Sequence, residues 1–254
     1  MKSNTSGGRL IAVGIAMGFA VLLFLGSRME APTPQPKEPY SGIEKTKSQE
    51  KPVCALGPAP LRLWREALTC SPWRIEVFPD GSSRVFGITL GKSTLADAQA
   101  LFQDTGDSKL FASPKGRLAL EIFFDRVNLG GMRGKFVLGL SPGEKALGAM
   151  LERGMRVKSM GDGTQKVTLH PEDLARIEYM PVTAITYLPS ADLDEEVIMK
   201  RFGEPEKRMK EEEREGIAHW FYPRLGLDVV LNSKGKEVFQ YVAPRAFDRL
   251  RRGF

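Results

Sequence analysis

The chain has 254 residues, 42% hydrophobic and 27% charged, enough for one fair-sized globular domain or two small ones. Its formal net charge is +6, but without Lys2, Arg9 and Arg28 near the N-terminus 34 basic residues face 31 acidic ones. A balance that even, with no zinc finger, RNP motif or dense Lys/Arg–aromatic stripe, excludes nucleic acid as the expected partner.

Residues 1–9 form a short N-terminal tail. The run Leu10 to Gly26 carries no charge and stands between Arg9 and Arg28. At about 1.5 Å per residue it reaches most of the way across a hydrocarbon core of roughly 30 Å, which predicts a single transmembrane helix over 10–28. A cleaved signal peptide is the rival reading. Leu25 to Pro32 offers no clean small-x-small site, which favours an uncleaved anchor. Lys and Arg are balanced across the run, so the positive-inside rule does not decide its direction.

Residues 29–52 hold five prolines among many charges and predict an extended linker. The lead-in over 53–72 contains both cysteines, Cys54 and Cys70, with fifteen residues between them and in no CxxC pattern. They read either as a local disulfide, as an oxidising periplasm would allow, or as two buried thiols. The bridge reading places the bulk of the chain in the periplasm of a bacterial envelope.

A first α+β unit is expected over 73–156. Arg74 to Phe78 and Arg84 to Thr89 alternate around Pro79-Asp80-Gly81-Ser82, a hairpin signal. Thr94 caps a predicted helix with Leu95, Ala98, Leu101 and Phe102 on one face. Strands follow over Leu118 to Phe124 and Lys135 to Leu140, then a helix from Ser141 to Arg153 with Ser141 as its cap. A second unit, 157–246, echoes this order: strands at Lys166 to Leu169 and Pro181 to Tyr187, and a helix capped by Asp194 and stopped by Gly203. Strands at Trp220 to Tyr222, Leu225 to Leu231 and Val238 to Val242 complete it. LALEIFFD (118–125) matches LGLDVVLN (225–232), and Phe102 matches Phe202, so a duplication is one reading of the two units.

Phe202-Gly203-Glu204-Pro205, Trp220-Phe221-Tyr222 and Gly226-Leu227-Asp228-Val229 resemble the SmpA/OmlA (BamE-like) envelope domains. A tandem of such units is similar in outline to β-lactamase-inhibitor proteins. The first unit departs from the pattern at Gln103, which stands where a glycine would end the helix. The expected fold class is therefore α+β: an N-terminal transmembrane helix, then antiparallel sheet with packed helices, with room for two BamE-like repeats.

Chemistry is sparse. Gly87 to Ser93 imitates a phosphate-binding loop, but only three residues separate Gly87 from Gly91-Lys92-Ser93 and Phe86 holds the place of the required glycine. Glu121 to Asp125 is a poor magnesium strand, because Glu121 interrupts an apolar run. His170 precedes a turn, His219 adjoins Trp220, and no GxSxG elbow accompanies either. No metal-ligand spacing appears, so no metal and no cofactor is expected. Trp220, Phe221 and Tyr222 are candidates for a partner contact, with a core role competing. The basic tail, 247–254, with Arg245, Arg249, Arg251 and Arg252 among Phe247, Leu250 and Phe254, suits a membrane surface or a partner. The reading is a membrane-anchored envelope protein with a non-catalytic binding or assembly domain and an envelope protein partner. The alternatives are an envelope hydrolase and a cytoplasm-facing adaptor or nucleotide binder.

Overall fold

A computed structural model describes residues 71–211 and 215–251. Alternation around the Pro79–Ser82 turn gives the expected hairpin of β1 (Glu76–Val77) and β2 (Ser83–Val85), with Asp80 Oδ1 accepting the Ser82 N–H at 3.0 Å. The strand expected to run on to Thr89 is broken at once by a second turn. Phe86 and Gly87 have φ of 53° and 82°, the left-handed pair whose twist suits a two-residue hairpin loop, and β3 (Ile88–Thr89) folds back on β2.

Thr94 and Asp97 cap α1 (Leu95–Phe102) reciprocally, each side chain bonding the other's backbone N–H, and the predicted apolar face is buried. Gln103 ends this helix at φ 54°, the left-handed conformation a glycine would supply. Gln103→Gly is expected to stabilise the protein by about 0.5–1 kcal/mol, seen as a raised urea midpoint.

Next come β4 (Asp107–Ala112), β5 (Leu118–Leu129) and β6 (Met132–Leu140), then α2 (Glu144–Glu152), β7 (Arg156–Ser159), β8 (Gln165–Thr168), α3 (Pro171–Ile177) and β9 (Val182–Pro189). The chain closes with α4 (Glu195–Phe202), β10 (Lys207–Lys210), β11 (Ile217–Tyr222), β12 (Leu227–Asn232), β13 (Val238–Val242) and the single turn α5 (Asp248–Arg251). Asp194 caps α4 as expected, accepting from the Val197 N–H at 2.8 Å. The cap proposed for α2 is different: the helix starts after Gly143, and the Ser141 hydroxyl pairs instead with Thr183 at 2.9 Å.

The expected fold class needs correction. Among the described residues strands dominate, the longest helix has 9 residues, and the two α+β units merge into one antiparallel sheet of ten strands, ordered β10-β11-β12-β13-β9-β6-β5-β4-β8-β7. The join is β9, which pairs with β6 on one edge and β13 on the other. Its Ile185 and Tyr187 are buried on one face and its Ala184 and Thr186 on the other. A strand with no solvent-facing side is suited to the middle of a sheet. The outer edges β7 and β10 are short, exposed and basic, as open edges are when they resist pairing with other chains.

The membrane reading is also corrected. No helix among the described residues is long and apolar enough to cross a membrane, and the span expected over 10–28 lies outside them. The basic tail does not stand free either. Phe247 and Leu250 pack on Ala184, Phe221 and Val242, while Arg245 donates to the Asp80 carbonyl at 2.9 Å. Phe247 and Leu250 are thus used inside the fold, while Arg252 and Phe254 lie outside the described residues.

Candidate functional site

The sheet's two faces differ in chemistry. One holds the aromatic core, where Phe86, Phe136, Tyr187 and Tyr241 meet and the helix-ending Phe102 and Phe202 pack on strand aromatics. Tracing the registers Glu121–Gly139–Ala184–Val242 and Thr186–Gln240–Asp228 puts Glu121, Thr186, Gln240 and Asp228 together on the other face. All four are buried, and His219 beside Asp228 is buried with them.

Glu121 is the fourth residue of β5. Across β6 and β9 its row continues with Gly139 and Ala184, the two smallest side-chain choices. That lack of bulk leaves a cleft of about 330 Å³. Leu147 of α2 and Leu250 of α5 close its sides, Thr183 and Ser141 line it, and Glu144 and Arg249 stand at the exposed rim. Glu121 is 5% exposed, and among the described residues its Oε2 has no hydrogen-bond partner. Lys109 lies directly opposite on β4, but its ammonium turns to Asp107 and to the Ser108 carbonyl. Burial raises the Glu121 pKa to about 8, so at neutral pH the group is mostly a neutral acid that can both donate and accept.

Asp228 stands on β12 as Glu121 stands on β5. Each is the fourth residue of the matched LALEIFFD and LGLDVVLN segments, and each strand is paired on both edges, β5 between β4 and β6 and β12 between β11 and β13. The surroundings differ. Opposite Asp228 are Phe221 and Gln240, which fill the space, and His219 Nδ1 lies 2.8 Å from Asp228 Oδ2. Burial raises the Asp228 pKa, with the histidine bond opposing the shift. Glu211 Oε2 is 4.0 Å from His219 Nε2, so this imidazole is flanked by two acids. That arrangement orients a buried histidine and gives no support to the hydrolase alternative. His219→Ala is expected to cost about 2–3 kcal/mol by leaving Asp228 buried without its base, whereas the apolar pair His219→Phe with Asp228→Leu should recover most of it. Urea titration of the three proteins checks this.

The residues singled out from sequence are distributed elsewhere. Trp220, Phe221 and Tyr222 are at most 5% exposed, so they form core and offer no contact surface. Arg249 reaches the cleft rim and Arg251 pairs with Asp248 at 3.8 Å. Cys54, Cys70 and Arg252 lie outside the described residues. His170 caps α3, its Nδ1 accepting the Glu172 N–H at 3.3 Å. In the phosphate-loop imitation, Lys92 is 2.6 Å from Asp80, and that bond with those from Ser82 holds the Asp80 carboxyl well below the usual range. The Ser93 hydroxyl accepts the Thr89 N–H, so both residues serve the turn. Among the described residues no group of three His, Cys, Asp or Glu side chains is placed to hold a metal. Glu121 was visible in the sequence only as a charge breaking an apolar strand.

No protein-family model, curated protein or solved structure matches the chain.

Proposed function

We propose that the protein is a non-catalytic binding module whose ligand is a small, largely apolar molecule seated in the Glu121 cleft. One observation carries this reading: a carboxyl group buried at the floor of an apolar cavity with an oxygen left unpartnered. Burying such a group without a hydrogen bond costs on the order of 1–3 kcal/mol, and a well-packed apolar side chain would avoid that cost. The cleft falls at the lower end of the 300–1,000 Å³ typical of small-molecule sites, with few polar groups among apolar walls. Among the described residues no catalytic set is completed at Glu121, and the hydroxyl of Thr183 is bonded to Ser141 and to the Gly139 carbonyl.

The test is amide chemical-shift mapping of the full chain with n-hexanol as probe. Shifts confined to residues 119–121, Gly139, residues 183–186 and Leu250 are the expected result. Shifts scattered over the surface, or none, would overturn the reading.

A further inference from the structure

The two matched strands allow the ligand's polar group to be named. In the second half of the sheet the buried acid is Asp228, and the group that meets it is the imidazole of His219 at 2.8 Å. His219 lies on β11, two residues before Phe221, the direct cross-strand neighbour of Asp228. The corresponding place in the first half is on β4, two residues before Lys109, the neighbour of Glu121. Asp107 occupies it, an exposed acid engaged by Lys109 and Lys166. The first half therefore keeps the buried acid and has no base in the matching place, and its row continues with Gly139 and Ala184 where the second half has Gln240 and Thr186.

We infer that the Glu121 cleft takes an apolar amine, its basic nitrogen meeting the carboxyl as His219 meets Asp228 and its hydrocarbon body lying along the walls. This rests on the cleft being a ligand site, as proposed above. The volume suits a molecule rather than a lone side chain. Of the charged groups around the carboxyl, Lys109 on β4 is held by Asp107, and the rim carries one charge of each sign, Arg249 on α5 and Glu144 on α2. An incoming alkylammonium meets a carboxylic acid, and the pair forms when that acid gives its proton to solvent. Binding at neutral pH thus releases close to one proton per ligand, whereas binding of a neutral alcohol releases none.

The experiment compares n-hexylamine, n-hexanol and hexanoate on the full chain by calorimetry at pH 7 in two buffers of different ionisation enthalpy. The amine is expected to bind at least tenfold tighter than the other two and alone to release a proton. Glu121→Gln should bring the amine down to the level of hexanol and abolish the release. Hexanol binding in the cleft with no preference for the amine would overturn the assignment of a basic nitrogen and leave the cleft as a ligand site. A preference for hexanoate that disappears in Arg249→Gln would overturn it in favour of an acid. If none of the three binds at residues 119–121 and 183–186, both readings fall. Because the comparison among ligands is made on the unaltered protein, it stands even if Glu121→Gln folds poorly.

Discussion

Phe86→Ala is expected to lower the unfolding free energy by about 3–5 kcal/mol, the range for truncating a buried aromatic ring that leaves a cavity behind. Phe86 is fully buried, and its ring centroid lies 4.9 Å from Phe136 of β6, 5.1 Å from Tyr187 of β9 and 5.6 Å from Tyr241 of β13. Those three strands are adjacent, and β9 is the one that joins the two halves of the sheet. The ring therefore plugs the seam from the outside, carried there by the β2–β3 turn. The turn itself disfavours a phenylalanine, because φ of 53° crowds the Cβ against the carbonyl at a cost of roughly 1–2 kcal/mol. Packing outweighs that strain. Phe86→Gly, which relieves the backbone but also removes the ring, should accordingly be no less stable than Phe86→Ala. Urea denaturation of both variants tests the balance. A loss below 1 kcal/mol for Phe86→Ala would mean that the small sheet does not secure the seam.

Local signals in this sequence were strong and long-range ones weak. Thr94 and Asp194 announced their helices because capping depends on residues within one turn. The Pro79–Ser82 turn was legible for the same reason. What could not be read was that β9 faces β6 and β13 at once, since pairing depends on what the rest of the chain presents. Phe86 concealed the second hairpin turn by standing where asparagine or glycine would have marked it. The short edge strands β7 and β10, made of Arg156 to Ser159 and Lys207 to Lys210, carry too few apolar residues to look like strands. Trp220, Phe221 and Tyr222 show the limit of an aromatic run as a surface signal: consecutive aromatics fill both faces of a strand that is covered on both. Glu121 was marked by its interruption of LALEIFFD. Its meaning needed the registers that set Gly139 and Ala184 beside it and Asp228 on the same face.

The second large effect is a dependence of stability on pH that resides in Glu121. In the unfolded chain this carboxyl releases its proton near 4.5, and in the fold burial holds it to about 8. Between those values the folded state keeps a proton that the unfolded state has lost, so unfolding releases it and rising pH favours unfolding. The group's favourable contribution is complete below about pH 4.5 and is lost as pH rises through about 8. At about 1.4 kcal/mol per unit the total is on the order of 4–5 kcal/mol. Glu121→Gln cannot ionise, so its advantage over the natural protein should grow from near zero at pH 5 to several kcal/mol at pH 8.5. Asp228, also raised by burial, adds a slope of the same sign to both proteins, which cancels in the difference. Urea titrations of the pair at four pH values measure it, and parallel curves would show that Glu121 does not hold its proton in the fold. The ligand proposal gives this slope a further consequence. An alkylamine in the cleft supplies the ionised carboxylate with the partner that Lys109 does not, so saturating n-hexylamine should restore stability most at pH 8, where the unliganded protein has lost most.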